Sequence, residues 1–152
     1  MNQDIEDECA VLHALRLIGR KWMVFILSEL VMSVDNDGLF FSELLSRIQD
    51  KYGKKISARV LSDSLTVLED EGIINRKIIQ DKQVRVQYSL SEKGYDLVVI
   101  FGASKGWGIK WGGELKHKKC RSFTCVHNAV PALDIERAKD LLYSENQQKS
   151  VQ

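Results

Sequence analysis

Between Ser57 and Leu90 the chain changes its hydrophobic period within a short span. From Ser57 to Glu69, Leu61, Leu65 and Leu68 recur one turn apart, which predicts a helix with a narrow apolar seam. Arg59, Ser62, Asp63 and Thr66 line its opposite, polar face. Ser57 is a good N-cap for this helix, and Gly72 can supply the left-handed residue that ends it. Ile74–Ile79 and Val84–Leu90 then read as strands around the tip Gln80-Asp81-Lys82-Gln83. A thinly apolar helix followed by a basic-tipped hairpin is the layout in which a winged helix-turn-helix reads DNA.

The flanks fit that order. Val11, Leu12, Leu15 and Ile18 share one face of a helix that Gly19 ends. Lys21–Met32 is apolar all round and predicts a central core helix. Ser33–Gly38 is a polar loop, Leu39-Phe40 a candidate short strand, and Phe41–Ile48 a short helix. Gln49–Lys55 reads as a basic loop before Ser57. Ser91 caps a further helix through Leu97, Ile100 and Phe101. Its glycines, among them Gly102, Gly106 and Gly108, either weaken it or admit a close neighbour. Asp134 caps a last short helical run to Tyr143. The expected fold class is mainly α with a small β-hairpin (α+β): a winged helix-turn-helix with extra N- and C-terminal helices. Three parts are expected: an acidic tail at 1–8, a DNA-binding and dimerisation domain at 9–113, and 114–152. The last would hold an irregular segment, a short C-terminal helix and a disordered tail.

Composition bounds the function. No apolar run is long enough to span a bilayer, and the acidic start Asp4-Ile5-Glu6-Asp7-Glu8 is unlike a signal peptide, so a cytoplasmic protein is expected. The net charge is only +1, yet Lys51, Lys54, Lys55, Arg59, Arg76, Lys77, Lys82 and Arg85 gather around the helix–hairpin block. Such sorting of charge is what phosphate binding needs. There is no phosphate-binding glycine loop, metalloprotease helix or nucleophile elbow, so neither an enzyme nor a cofactor is expected.

The string Cys9-Ala10-Val11-Leu12-His13-Ala14-Leu15-Arg16-Leu17-Ile18-Gly19-Arg20-Lys21-Trp22 is more specific. It resembles the opening of the HxlR family of winged-helix transcription regulators. Phe41-Ser42-Glu43-Leu44, Leu68-Glu69-Asp70-Glu71-Gly72-Ile73-Ile74-Asn75-Arg76 and Val86-Gln87-Tyr88-Ser89-Leu90-Ser91-Glu92-Lys93-Gly94 resemble later motifs of that family in the same order. The resemblance runs from Cys9 to about Trp111. Ala10 and Arg20 depart from the family pattern. So does Phe40, which stands where the family often has arginine, a change expected to remove a DNA contact. The loop Gln49–Lys55 is longer than the family's usual turn, which marks a divergent member.

Together these features predict a homodimer on double-stranded DNA with a palindromic operator. Ser57, Ala58, Arg59, Ser62 and Asp63 form its reading face. Arg59 is the best base reader, since its planar fork matches guanine O6 and N7. Lys54, Lys55, Lys82 and Arg85 are expected on the backbone or in the minor groove. Dimerisation would use the first helix and the helix from Glu92 to Trp111; alternatively, Trp107 and Trp111 cover their own chain's core. The resemblance also implies a redox role for Cys9, whose thiol Lys21 would activate if close. His117, Cys120, Cys125 and His127 offer a weak zinc pattern, with incidental side chains or a Cys120–Cys125 disulfide as the other readings. The rival function is a winged-helix module that binds protein rather than DNA.

Overall fold

The computed structural model describes residues 9–33, 37–52, 55–112 and 133–140. Helix α1 (Ala10–Ile18) leads into α2 (Met23–Val31). Strand β1 (Leu39–Phe40), helices α3 (Phe41–Tyr52) and α4 (Ala58–Asp70), strands β2 (Ile74–Gln80) and β3 (Val84–Leu90), and the long α5 (Glu92–Trp111) follow. A short helix occupies 135–140. The sheet is antiparallel in the order β1-β3-β2, so the hairpin is widened by the short strand ahead of α3. Leu39 pairs with Tyr88 and Phe40 with Gln87. This is a winged helix: α3 and α4 make the helix-turn-helix, and β2–β3 the wing.

Helix α2 is the hub and packs on α1, α3, β3 and α5. Its Ile26, Leu27 and Leu30 are buried with Leu44 and Ile48 of α3, and with Leu61, Leu65 and Leu68 of α4. The all-round apolar pattern of Lys21–Met32 therefore has its cause in burial on several sides. One buried charge breaks that pattern. Glu29, in the last turn of α2, is 1% exposed. Lys51 donates to its Oε1 at 2.8 Å, and Arg47 stands 3.9 Å from Oε2.

Helix α3 corrects the sequence reading. It does not stop at Ile48 but runs to Tyr52, so most of the expected basic loop is helix. Three contacts explain the extension. Ser46 donates to Asp50 at 3.0 Å, the Gln49 amide donates to Ile56 O at 2.7 Å, and Lys51 reaches Glu29. The connection to α4 is correspondingly short, and its Ile56 is buried.

The apolar face of α1 meets the core only at its end, where Ile18 packs against the buried cluster. Val11, Leu12 and Leu15 are exposed, while Leu17 is buried beneath them. Along α5 the buried residues Leu97 and Phe101 face inward. Tyr95, Val99, Trp107 and Trp111 stand exposed at four- and eight-residue spacings, Trp107 at 61% and Trp111 at 65%. Neither tryptophan covers its own core. The glycines of α5 do admit a neighbour: Leu133 N donates to Gly102 O at 3.0 Å, and a Cβ at Gly106 would collide with Leu133 O. No helix among the described residues is long and apolar enough to cross a membrane.

Candidate nucleic-acid interface

Helix α4 is anchored at both ends. The Ser57 hydroxyl accepts from Val60 N at 3.2 Å, as an N-cap should. At the other end Gly72 takes φ +68°, Gly72 N donates to Glu69 O at 2.8 Å, and Ile73 N donates to Leu68 O at 2.9 Å. This pair of bonds closes the last turn around a left-handed residue, which costs glycine little. The Ser91 hydroxyl donates to Gly72 O at 2.6 Å and also lies 2.8 Å from Ile73 O. The same oxygen accepts from Gly94 N at 3.1 Å, and Lys93 donates to Glu71 O at 2.6 Å. The end of α4 and the start of α5 are thus clasped together.

Between these anchors Leu61, Leu65 and Leu68 are buried. Ala58, Arg59, Ser62, Asp63 and Thr66 are all exposed on the far side, as the seam predicted. Ser64 and Thr66 donate back to Val60 O and Ser62 O, so their hydroxyls are already engaged along the helix. Arg59 takes no ion-pair partner among the described residues and is exposed. A guanidinium in that state has its full fork of donors to give.

Lys55 is exposed just ahead of the Ser57 cap, and Lys82 is exposed at the tip between β2 and β3. Arg85 is exposed on β3 and lies over the Phe40 ring, with its guanidinium carbon 4.1 Å from the ring centroid. Lys51, part of the basic cluster in the sequence, is turned inward to Glu29 instead. Lys54 lies outside the described residues, as do His117, Cys120, Cys125 and His127. Cys9 is a free, half-buried thiol at the N-cap position of α1, and its carbonyl accepts from His13 N at 2.9 Å. Farther along α1, His13 Nε2 stands 3.8 Å from Glu71, at the end of α4.

Three features escaped the sequence reading: the Glu29–Lys51 contact, the Ser91–Lys93 clasp and the Phe40–Arg85 stack. Only the first left a signal, a lone carboxylate inside an apolar run, which demands a cationic partner somewhere.

Known proteins share both the sequence pattern and this architecture. The family model for HxlR-like helix-turn-helix proteins matches residues 17–116. An HTH-type transcriptional regulator of Methanothermobacter thermautotrophicus is 38% identical over 110 residues, covering 72% of this chain and 76% of that one. Among solved structures, a transcriptional regulator assigned to the MarR family from Enterococcus faecalis superposes with a TM-score of 0.59 at 26% identity, over 80% of this chain and 96% of that one. The diamide-treated form of YodB from Bacillus subtilis superposes with a TM-score of 0.55 at 27% identity, over 68% of this chain and 94% of that one.

Proposed function

The chain belongs to the HxlR-like helix-turn-helix family and is a transcriptional regulator of that type; from this premise we propose that it acts as a homodimer on a palindromic operator in double-stranded DNA. The observation that carries the reading is the face of α4: Ala58, Arg59, Ser62 and Asp63 exposed above a fully buried leucine seam. One α4 enters the major groove of each half-site, the half-sites lying about 34 Å apart. Arg59 reads guanine through O6 and N7, and Asp63 accepts from a cytosine N4 amine. Ser57 and Ser62 touch base edge or phosphate. Lys54, Lys55, Lys82 and Arg85 hold the backbone and set the register.

The exposed apolar residues support the dimer. Val11, Leu12 and Leu15 on α1, with Val99, Trp107 and Trp111 on α5, are apolar surface that a second copy would bury. The unit 9–113 then carries both DNA reading and dimerisation, with 1–8 and 114–152 as appendages. Cys9 opens the helix that lines this surface, so its oxidation would alter the dimer and hence the spacing of the two reading helices. That YodB has been solved both diamide-treated and reduced supports a thiol-based signal in a relative of this architecture. Such a regulator works in the cytoplasm, on double-stranded DNA.

The test is binding to duplex sites selected by the full-length protein from a random library, measured across salt concentrations. The expected log K falls linearly with log salt, by about 0.9 for each phosphate neutralised; a flat plot overturns the reading. Arg59→Ala should relax preference at one base position, whereas Lys82→Ala should weaken all sequences alike and reduce the slope by about 1. Sedimentation at micromolar concentration should show a dimer, and a monomer would remove the palindromic operator. Mild peroxide should change operator binding in step with Cys9 oxidation.

A further inference from the structure

Strand alternation sorts the side chains of the sheet. Leu39, Tyr88 and Leu90 point to the core. Phe40, paired with Gln87, therefore points to the other face, and Arg85, two residues along β3 from Gln87, shares it. Phe40 and Arg85 are diagonal neighbours, a separation that a long side chain spans. The Arg85 guanidinium uses that reach to lie over the Phe40 ring at 4.1 Å. A cation–π contact holds the guanidinium through the ring's electrostatic attraction and does not consume its N–H donors.

The platform is itself held. The Leu39–Tyr88 pairing fixes its backbone on β3, and Phe40 N donates to Glu43 Oε2 at 2.8 Å. Phe40 is half-buried, and the next residue begins α3. Its ring thus stands where the wing meets the helix-turn-helix, and whatever it orders on the wing is ordered relative to α4 as well.

We propose that Phe40 is a positioning residue for DNA binding, its ring holding Arg85 in place so that the guanidinium edge meets the DNA backbone or minor groove beside the helix. This rests on the DNA-binding reading above. An unstacked arginine on an exposed strand samples many rotamers and loses that freedom on binding, whereas a stacked one has lost much of it beforehand. The phenylalanine therefore adds affinity without itself touching DNA.

The experiment uses the full chain and a fluorescent duplex carrying a site selected by the wild type. Phe40→Leu should weaken binding about three- to tenfold, the range expected from freeing one long side chain. Its salt slope should stay unchanged, because Arg85 keeps its charge. Phe40→Tyr should bind as the wild type does. Arg85→Ala should lower the slope by about 1, and adding Phe40→Leu to Arg85→Ala should cause no further loss. Far-UV circular dichroism and the melting temperature check that each variant is folded; were Phe40→Leu unfolded, Phe40→Tyr and the more conservative Phe40→Met would carry the comparison. Additive losses in the double variant, or wild-type binding by Phe40→Leu or Phe40→Met, would overturn the proposal. Salt-dependent wild-type binding with no effect of Arg85→Ala overturns it too, but leaves the DNA-binding reading standing. Failure of the wild type to bind any duplex removes both.

Discussion

Lys51 Nζ donates to Glu29 Oε1 at 2.8 Å, tying the last turn of α3 to the last turn of the core helix α2. The two side chains are unequally buried, 32% exposed for Lys51 and 2% for Glu29. Removing either therefore has unequal consequences. Lys51→Met leaves a buried carboxylate with Arg47 at 3.9 Å in place of its nearer cation, and should cost about 2–4 kcal/mol. Glu29→Gln leaves a lysine that can turn to water, and should cost about 1–2 kcal/mol. Urea unfolding of both variants checks this: equal midpoints would mean that burial does not set the cost.

Ser57 is a cap before it is a contact. Its hydroxyl accepts from Val60 N, and a glycine at an N-cap position leaves that N–H open to water where an alanine hinders it. Ser57→Ala should cost about 1 kcal/mol, and Ser57→Gly only a few tenths. Thermal melting should therefore rank the three proteins Ser, Gly, Ala. A glycine variant as unstable as the alanine one would show that the cap contributes little here.

Helix α4 was legible because its signals are local. Ser57, the Leu61-Leu65-Leu68 seam and Gly72 lie within one short span, and each works through a few neighbouring residues. The same holds for Ser91 and Asp134, which cap as expected; Asp134 accepts from Glu136 N and Arg137 N. The end of α3 was missed because what extends it is not local. Glu29 and the Ile56 carbonyl stabilise a polar turn that, read alone, looks like a loop. The exposed face of Val11, Leu12 and Leu15 had the right helical period, but periodicity cannot say whether an apolar face meets its own core or another surface. Phe40 and Arg85 meet only because β1 pairs with β3, and that pairing is a property of the sheet rather than of either segment. The candidate DNA-reading face was thus foreseeable, while the device that orients Arg85 was not.

Two glycines two residues apart on α5 should respond oppositely to the same methyl group. At Gly106 a Cβ would collide with Leu133 O and press on Ile135, so Gly106→Ala must push the segment at 133–140 off the helix. At Gly108 a Cβ meets only open space, so Gly108→Ala should gain the propensity difference, about 0.5–1 kcal/mol. Amide exchange at Leu133, whose N–H is bonded to Gly102 O, should accelerate in the first variant and stay slow in the second. Unchanged protection of Leu133 in Gly106→Ala would show that the segment does not depend on that close approach.

That segment also carries a pH dependence whose sign follows from its charges. Glu136 accepts hydrogen bonds from Lys110 of α5 and from Lys139, and these two ammonium groups hold its carboxyl below the usual glutamate range, the Lys110 bond being the larger cause. A carboxyl that is more acidic in the folded state favours folding while ionised. Its contribution is therefore complete above the unfolded value, about 4.3, and is lost as pH falls through the lower folded value. Carboxyl-carbon chemical shifts followed through an acid titration should place the Glu136 midpoint below the unfolded glutamate value. Lys110→Met should move it back upward, and the amides at 133–140 should then lose some protection at neutral pH as well, because one of the contacts between this segment and α5 is gone. A Glu136 midpoint that ignores Lys110→Met would leave Lys139 alone as the cause, and would separate the acidity of Glu136 from docking on α5.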